Sequence, residues 1–152
     1  MPFPSIFEPK TTEDLVKRIN QLTPATAPLW GKMNVSQMLA HCCVSYDQIF
    51  GDQTGRPPLL MRKLLSLLIR KKLTNESPYP KNGRTAPAFI ISDERDFETE
   101  KSRLIKYISR VEKLGASHFS DRESFSMGKL TTREWNNLLY KHLNHHLSQF
   151  GV

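Results

Sequence analysis

Apolar residues recur at intervals of three and four almost throughout this chain, and this periodicity restricts its fold more than any other feature. Such spacing places apolar side chains on one face of a helix, whereas a half-buried strand alternates apolar and polar residues. Together with the start and stop signals around each segment, it predicts helices over 12–22, 34–50, 58–73, 93–114 and 131–150. Four or five helices with little strand indicate an all-α bundle.

Capping residues set the predicted helix starts. Thr11 or Thr12 can cap the first helix, and Asn34 is a good N-cap for the second. Thr131 is followed three residues later by Glu134, which is a capping-box pattern. The last helix is therefore predicted to begin at residue 131 or 132.

The segments between the predicted helices contain turn-forming residues and one short apolar run. The stretch 75–87 is rich in Pro, Gly and Asn, and the apolar run 88–91 is either a strand-like piece or a plug. Gly115 is predicted to stop the fourth helix, because glycine readily adopts the left-handed conformation of a helix end. Residues 116–130 are predicted to form a loop.

The predicted helix 58–73 combines leucines with basic residues. Its apolar stripe consists of Leu60, Leu64, Leu67 and Leu68. One interpretation is a core helix whose basic side faces water, and the other is an interfacial helix that binds a membrane surface or a partner. We favour the core helix, with the four leucines buried.

Composition indicates one soluble domain spanning residues 1–152, with 38% hydrophobic and 24% charged residues. No stretch approaches the roughly 18 apolar residues of a spanning helix, so stable membrane insertion is not expected. The N-terminal residues do not resemble a signal peptide, and the adjacent Cys42 and Cys43 cannot form a disulfide framework. These features predict a cytoplasmic protein. The net charge of +7 comes with no nucleic-acid-binding motif, so no nucleic acid is expected as a partner.

Three of the five histidines lie near the C-terminus, and two of these, His142 and His146, stand four residues apart. On a helix, that spacing puts both imidazoles on one face, one turn apart. The same face carries Trp135 and Leu139, which must be buried. His142 and His146 are therefore predicted to point into the bundle, while His145 lies towards its edge.

A third imidazole would complete a metal site. The only histidine on another predicted helix is His41, and His118, in the loop, is the other candidate. Three neutral imidazoles leave a coordination position open, as catalytic metal sites do, and suit zinc, nickel, copper or iron. The alternative is that these histidines are hydrogen-bonded core residues. Cys42 and Cys43 are predicted to pack in the core.

Two segments resemble a known family. Residues 29–42, LWGKMNVSQMLAHC, have a Trp–Met–Gln-Met-Leu-x-His form, and residues 134–151 have the form EW followed by YKHLNHHLSQFG. Together they resemble the DinB-like (YfiT-like) superfamily of metalloenzymes, in order and spacing over most of the chain. The resemblance implies a four-helix bundle, here with an extra short helix and long loops.

The resemblance also implies a ligand set. One histidine comes from the second helix and two from an HxxxH pair on the last, which correspond to His41, His142 and His146, with nickel or zinc as the metal and His145 as a non-ligand. A His-Pro-x-Phe-Gly turn often precedes the last helix in this branch, but this chain has Ser-Phe-Ser-Met-Gly at 124–128.

The resemblance implies a metal-dependent hydrolase or a thiol-dependent transferase acting on a small molecule, with a low-molecular-weight thiol as a second cofactor. Arg62, Lys63 or Arg70 could guide an anionic thiol. Glu134 and Asp47 are the acidic residues near the predicted helices that carry the histidines. Nothing in the sequence indicates that their side chains point to the metal site. The alternative function is a non-enzymatic metal-binding or stress-related module. A homodimer is a possible oligomeric state.

Overall fold

The computed structural model describes residues 2–152, which are mostly helical. The helices are α1 (Pro9–Asn20), α2 (Val35–Phe50), α3 (Leu59–Thr74), α4 (Phe97–His118) and α5 (Thr132–Gln149), and a 3₁₀ turn covers Pro87–Phe89. Between α4 and α5, strands β1 (Glu123–Ser124) and β2 (Gly128–Lys129) form an antiparallel pair. The predicted all-α fold is confirmed. None of the helices in residues 2–152 combines the length and the apolar character needed to cross a bilayer.

Two of the predicted helix starts are confirmed by complete capping boxes. The Asn34 side chain accepts a hydrogen bond from the Gln37 N–H at 2.9 Å, and Gln37 accepts one in return from the Asn34 N–H at 3.1 Å. Thr131 and Glu134 form the same reciprocal pair at the start of α5. These bonds satisfy backbone donors that have no partner within the helix.

The start of the first helix was predicted wrongly. α1 begins at Pro9 rather than at residue 12, and its N-cap is Glu8, which makes no side-chain capping bond. Proline is suited to the first turn because its fixed φ matches the helix and its missing N–H would have no partner there. The helix therefore starts at a proline instead of at the predicted threonine cap, Thr11 or Thr12.

The fourth helix is interrupted where the glycine stop was predicted. Gly115 has φ 72° and ψ 171°, which breaks the helical path, and one further turn carries the chain to His118. A side chain at this φ would be strained, so glycine suits the position. His118 consequently lies in the last turn of α4 rather than in the predicted loop.

The hydrophobic core lies mainly among α1, α2, α4 and α5. α2 contacts both α4 and α5, α1 packs on α4, and α3 packs on α5. Trp135 and Leu139 of α5 are 2% and 1% exposed, as their helical face predicts. The same core cluster extends from Ile6 to Phe150.

The orientation of α3 contradicts the sequence prediction. The four leucines predicted to be buried are exposed: Leu60 80%, Leu64 48%, Leu67 82% and Leu68 66%. The inward side instead carries Arg62 and Arg70, with Ile69 and Leu73 partly buried against the core. Arg62 binds Glu123, and the guanidinium of Arg70 donates two hydrogen bonds to Glu134, at 2.6 and 2.7 Å. Acids on other elements thus hold the basic side of α3 against the protein.

A buried lysine completes the attachment of α3. Lys141 of α5 is 2% exposed, and its ammonium group donates to the backbone oxygens of Lys72 and Asn75 and to the Asn75 side chain, at 2.8–3.1 Å. These acceptors lie at the C-terminal end of α3, where carbonyl groups lack helical partners and a positive charge is favourable. Burial lowers the pKa of Lys141 to about 8, so the group is still protonated at neutral pH.

The Arg70–Glu134 pair should make stability depend on acid pH. The hydrogen bonds from Arg70 lower the pKa of Glu134 from 4.5 to about 2. Because the folded-state value is the lower one, the stabilisation is present above about pH 4.5 and is lost as the pH falls towards 2. We expect Glu134→Gln to lower the free energy of unfolding by about 1 kcal/mol at neutral pH, since the pair is partly exposed.

Urea unfolding at neutral pH and near pH 2 measures this dependence. The difference between wild type and Glu134→Gln should shrink strongly at the acid end, where the carboxyl of the folded wild type is itself partly protonated. Lys10→Met, which removes an exposed pair with Asp14, serves as the control and should have little effect on stability. If Glu134→Gln lowered the free energy of unfolding by the same amount at both pH values, the stabilisation would not come from the ion pair between Arg70 and Glu134.

Candidate metal centre

Three histidines from two helices meet in the structure. His41 lies on α2, and His142 and His146 lie one turn apart on α5. One ring nitrogen from each of the three lies within 4.8 Å of the others, and the Nε2 atoms of His41 and His142 are 2.9 Å apart. The three candidate residues named from the sequence are therefore brought together. Such a group of nitrogen atoms can hold a metal ion.

The orientation of His41 is fixed by the chain that covers it. Its Nδ1 lies 2.7 Å from the backbone oxygen of Phe89, in the 3₁₀ turn. A carbonyl oxygen only accepts, so Nδ1 carries the hydrogen and donates it. In the neutral ring, Nε2 then presents a lone pair to the other histidines.

His146 is oriented in the same way by an amide. Gln149 donates from its Nε2 to the backbone oxygen of Trp30 at 2.7 Å, which leaves its Oε1 as an acceptor. The Nδ1–H of His146 donates to that Oε1 at 2.8 Å. Its Nε2 lone pair therefore also remains available for a ligand bond.

A glycine makes room for this amide. Gly31 has φ +86°, and a Cβ at this position would lie 2.5 Å from the Nε2 of Gln149. The backbone N–H of Leu29 also donates to the backbone oxygen of Gln149 at 2.7 Å. The segment before α2 is thus held against the end of α5, close to His146.

His142 has a partner that can both donate and accept. Its Nδ1 lies 3.1 Å from the hydroxyl oxygen of Ser45, on α2. In one arrangement Ser45 donates to Nδ1, and the Nε2–H of His142 donates to His41, so a hydrogen-bonded chain runs from Ser45 to Phe89. In the other, Nδ1–H donates to Ser45, and the Nε2 lone pairs of His41 and His142 face each other. The second arrangement needs a cation between the two rings.

Burial favours uncharged rings. It lowers the pKa values of His41 and His142, the latter well below the ordinary value, and it lowers the pKa of His146 to about 3. The neighbouring histidines lower the pKa values of His142 and His146 further. A neutral imidazole is the form that binds a metal.

An aromatic side chain lies over the cluster. The ring centroid of Phe89 is 5.5 Å from that of His41 and 6.0 Å from that of His142. The apolar run 88–91, predicted as either a strand-like piece or a plug, is not a strand: its first two residues belong to the 3₁₀ turn Pro87–Phe89, and Phe89 covers the histidines. His41 and His146 are only 4% and 8% exposed, whereas His142 is half-buried.

His145 lies beside the cluster rather than in it. Its ring packs between Trp30 and Tyr79, with centroid distances of 5.9 and 5.7 Å, and contacts His146 at its edge. The Lys81 ammonium lies 4.4 Å from the centroid of the Trp30 ring. The structure thus places two aromatic rings next to His145 and a cation over one of these rings, that of Trp30.

The other candidate residues lie elsewhere. His118 contacts Arg122 and is not part of the three-histidine group. Asp47 binds Arg103 and accepts a hydrogen bond from the Tyr107 hydroxyl at 2.6 Å. Glu134 is bound by Arg70, as described above.

The two cysteines are core residues. Both Cys42 and Cys43 are buried free thiols, and burial raises the pKa of Cys42 well above its ordinary value and that of Cys43 to about 12. Protonated buried thiols are poor nucleophiles. Their predicted role in packing is confirmed.

The donor set fits a transition metal. Metal-bound histidines commonly donate their second ring N–H to a carbonyl or carboxylate, and here His41 and His146 donate to a backbone carbonyl and a side-chain amide oxygen. Three imidazoles suit a borderline metal such as zinc or nickel and leave a position open. Ser45, Phe89 and Gly31 could not be assigned from spacing, because their contacts with the histidines depend on the fold.

Comparison with curated proteins and with solved structures gave no match. A family model described as "Protein of unknown function (DUF1569)" matches residues 8–151, which includes all three histidines and both capped helices that carry them. The matched region covers nearly the whole chain, and the protein therefore belongs to the DUF1569 family.

Proposed function

We propose that His41, His142 and His146 together bind one divalent transition metal, nickel or zinc, and that the protein is a metal-dependent enzyme acting on a small molecule. The observation that carries the proposal is the mutual distance of at most 4.8 Å among three ring nitrogens, in a cluster whose His41 and His146 are buried and whose His142 is half-buried. The relationship to the DinB-like superfamily is part of this proposal.

The side chains around the cluster hold the ligands in place. Phe89 and Gln149 accept the Nδ1–H bonds that orient His41 and His146, and Ser45 faces His142. Phe89 also limits the access of water. A metal bound here would act as a Lewis acid and would favour the deprotonated form of a bound thiol or water.

The environment favours thiol transfer over hydrolysis. Hydrolysis commonly uses a protein base to take a proton from water. The two acids considered for this role, Asp47 and Glu134, are bound by Arg103 and Arg70. A thiol activated as its thiolate needs no such carboxylate, and Lys81, beside Trp30, offers a positive charge for an anionic thiol. Arg62 and Arg70 are already paired with acids, so they are less suited to that role.

Elemental analysis of protein purified without a histidine tag tests the proposal. We expect about one equivalent of a transition metal, lost in the double variant His142→Ala/His146→Ala. The metal-loaded protein should then convert a low-molecular-weight thiol and an electrophile that carries a leaving group into a thioether: the S–C bond forms as the bond to the leaving group breaks, and the leaving group and the thiol proton pass to solvent. No metal after purification and none after incubation with zinc or nickel would exclude the site. A loaded protein that is inert across a panel of thiols and electrophiles would exclude the thiol reaction.

A non-enzymatic role is the second candidate, and one observation favours it. The chain from Ser45 through His142 and His41 to Phe89 satisfies these ring nitrogens without a metal. The histidines would then mainly connect α2 and α5, with any bound metal strengthening that connection. In this case metal would change the Tm strongly, while no reaction would be detected for the loaded protein.

Replacing Gln149 tests its orienting role. Gln149→Leu removes the acceptor for His146 Nδ1–H but keeps all three ligands. Partners that orient metal ligands typically contribute 10–100-fold to metal affinity, and we expect a loss in that range by competition with a chelator. Gln21→Leu, an exposed change of the same type, is the control. Equal affinities for the two variants would contradict the role.

We infer further that residues 1–152 act as one domain, because the core cluster includes residues from Ile6 to Phe150. We also assign the protein to a reducing compartment, the cytoplasm, on the basis of its two free buried thiols. Fractionation of cells followed by immunodetection checks the second inference.

A further inference from the structure

The exposed apolar surface of this protein is concentrated on one helix. Within residues 2–152, eight large apolar residues are exposed, and six of them belong to α3. These six are Leu59, Leu60, Met61, Leu64, Leu67 and Leu68. Contiguous exposed apolar surface of this kind usually marks a binding surface. We call Leu60, Leu64, Leu67 and Leu68 the α3 leucine face.

This face is exposed because of how α3 is attached. Arg62 and Arg70 turn towards the protein and bind Glu123 and Glu134. The ammonium group of Lys141 binds the C-terminal end of the helix. Opposite sides of a helix cannot both face the core, so these polar contacts hold the leucines outward.

Lysines surround the leucine face. At 100° per residue, Lys63 and Lys72 lie roughly 90° to either side of its centre, and Lys71 lies at its C-terminal end. In the described part of the chain, none of these three lysines is in an ion pair. Residues Leu59–Thr74 contain no acidic residue. The face is therefore apolar along its middle and positively charged along its margins.

We propose that α3 docks on an anionic membrane surface. A helix lying in the interface buries its apolar face at the boundary between head groups and acyl chains, while basic residues reach the lipid phosphates. The flexible lysine side chains at the margins of the leucine face can place their ammonium groups at head-group level. The helix would lie on the bilayer without crossing it. This inference does not depend on the metal site.

The charge pattern disfavours a second copy of the chain as the occupant. In a two-fold symmetric dimer through α3, the same patch meets itself, so Lys63, Lys71 and Lys72 of both copies would come together. No acid on α3 could compensate for them. An anionic lipid surface complements the same charges and requires no acidic groups from the protein.

Flotation of the full-length protein with lipid vesicles tests the proposal. Vesicles of phosphatidylcholine alone are compared with vesicles that also contain phosphatidylglycerol, at low and high salt. We expect binding to the anionic vesicles only, weakened by salt. Lys71→Glu/Lys72→Glu should lower the partition coefficient by at least about thirtyfold, and Leu67→Ser/Leu68→Ser by at least about tenfold.

The matched control is Lys106→Glu/Lys113→Glu, which makes the same charge change at exposed positions of α4. It should retain most of the binding, which would separate a local role of α3 from an effect of net charge. The leucine substitutions lie at exposed positions, so circular dichroism should show an unchanged fold.

Three results would overturn the proposal. One is failure of the wild type to float with anionic vesicles. Another is concentration-dependent self-association in sedimentation, abolished by Leu67→Ser/Leu68→Ser, which would assign the face to a second copy. Loss of flotation to the same extent in the α4 control and the α3 charge variant would also contradict it, because binding would then follow net charge alone.

Discussion

Zinc or nickel added to the metal-free protein should raise the free energy of unfolding by about 4 kcal/mol when the free ion stands about 1,000-fold above its dissociation constant. The reason is that His41 on α2 and His142 and His146 on α5 come together only in the folded chain. Binding to the folded state alone shifts the unfolding equilibrium by mass action. Urea unfolding with buffered metal and with a chelator measures the shift.

The triad variants determine whether the shift comes from this site. His142→Ala should remove most of the stabilisation, because two remaining imidazoles bind a divalent ion more weakly than three. His118→Ala removes a histidine outside the cluster and should keep the full effect. Equal stabilisation of the wild type and His142→Ala would show that the ion binds elsewhere.

The second large effect is expected at Lys141. Lys141→Met keeps most of the buried stem but removes the ammonium group that donates to Lys72 and Asn75. A buried acceptor without a partner costs about 1–3 kcal/mol, and we expect a total loss of about 3 kcal/mol in the free energy of unfolding. Urea denaturation followed by circular dichroism provides the measurement.

Lys71→Met provides the comparison, because Lys71 lies on the exposed side of α3, away from Lys141. An exposed substitution away from special contacts usually changes stability by no more than about 0.5 kcal/mol. If the two variants lost equal stability, the ammonium of Lys141 would not be the group that attaches α3. A reduced helical signal in Lys141→Met alone would show that α3 itself becomes less ordered.

Local signals predicted the helices and the histidine cluster well. The capping residues Asn34 and Thr131 start their helices as expected, because a cap depends on residues only a few positions away. The inward direction of His142 and His146 followed from helical faces, since Trp135 and Leu139 had to be buried on the same side of α5. The choice of His41 over His118 as the third histidine came from the family resemblance. Periodicity is sufficient for such features.

The orientation of α3 shows where periodicity is insufficient. Its leucines form a regular stripe, yet this stripe is exposed, because Arg62 and Arg70 find Glu123 and Glu134 more than sixty residues away along the chain. Lys141 was also not recognised, since a lysine is rarely buried unless its charge is satisfied. Both features depend on pairings between distant segments that no local pattern reveals.

The surroundings of the histidines were missed for the same reason. The oxygen of Phe89 reaches His41 from a connection between helices that has no helical period of its own. Gly31 could have been recognised only from the need for space beside Gln149. The sequence thus supplied the ligand candidates, while the groups that orient them became visible only in three dimensions.

The hydroxyl of Ser45 has a consequence for how the cluster could change state. A carbonyl or a carboxylate in its place would restrict His142 to a single tautomer, because such groups only accept hydrogen bonds. A hydroxyl can rotate and reverse its role, so His142 can move its one hydrogen from Nε2 to Nδ1 and keep its bond to Ser45, while the freed Nε2 lone pair becomes available to a cation. The same side chains can therefore serve an empty cluster and a metal-bound one, and the difference between them is the rotation of one O–H bond and the shift of one proton within a single ring.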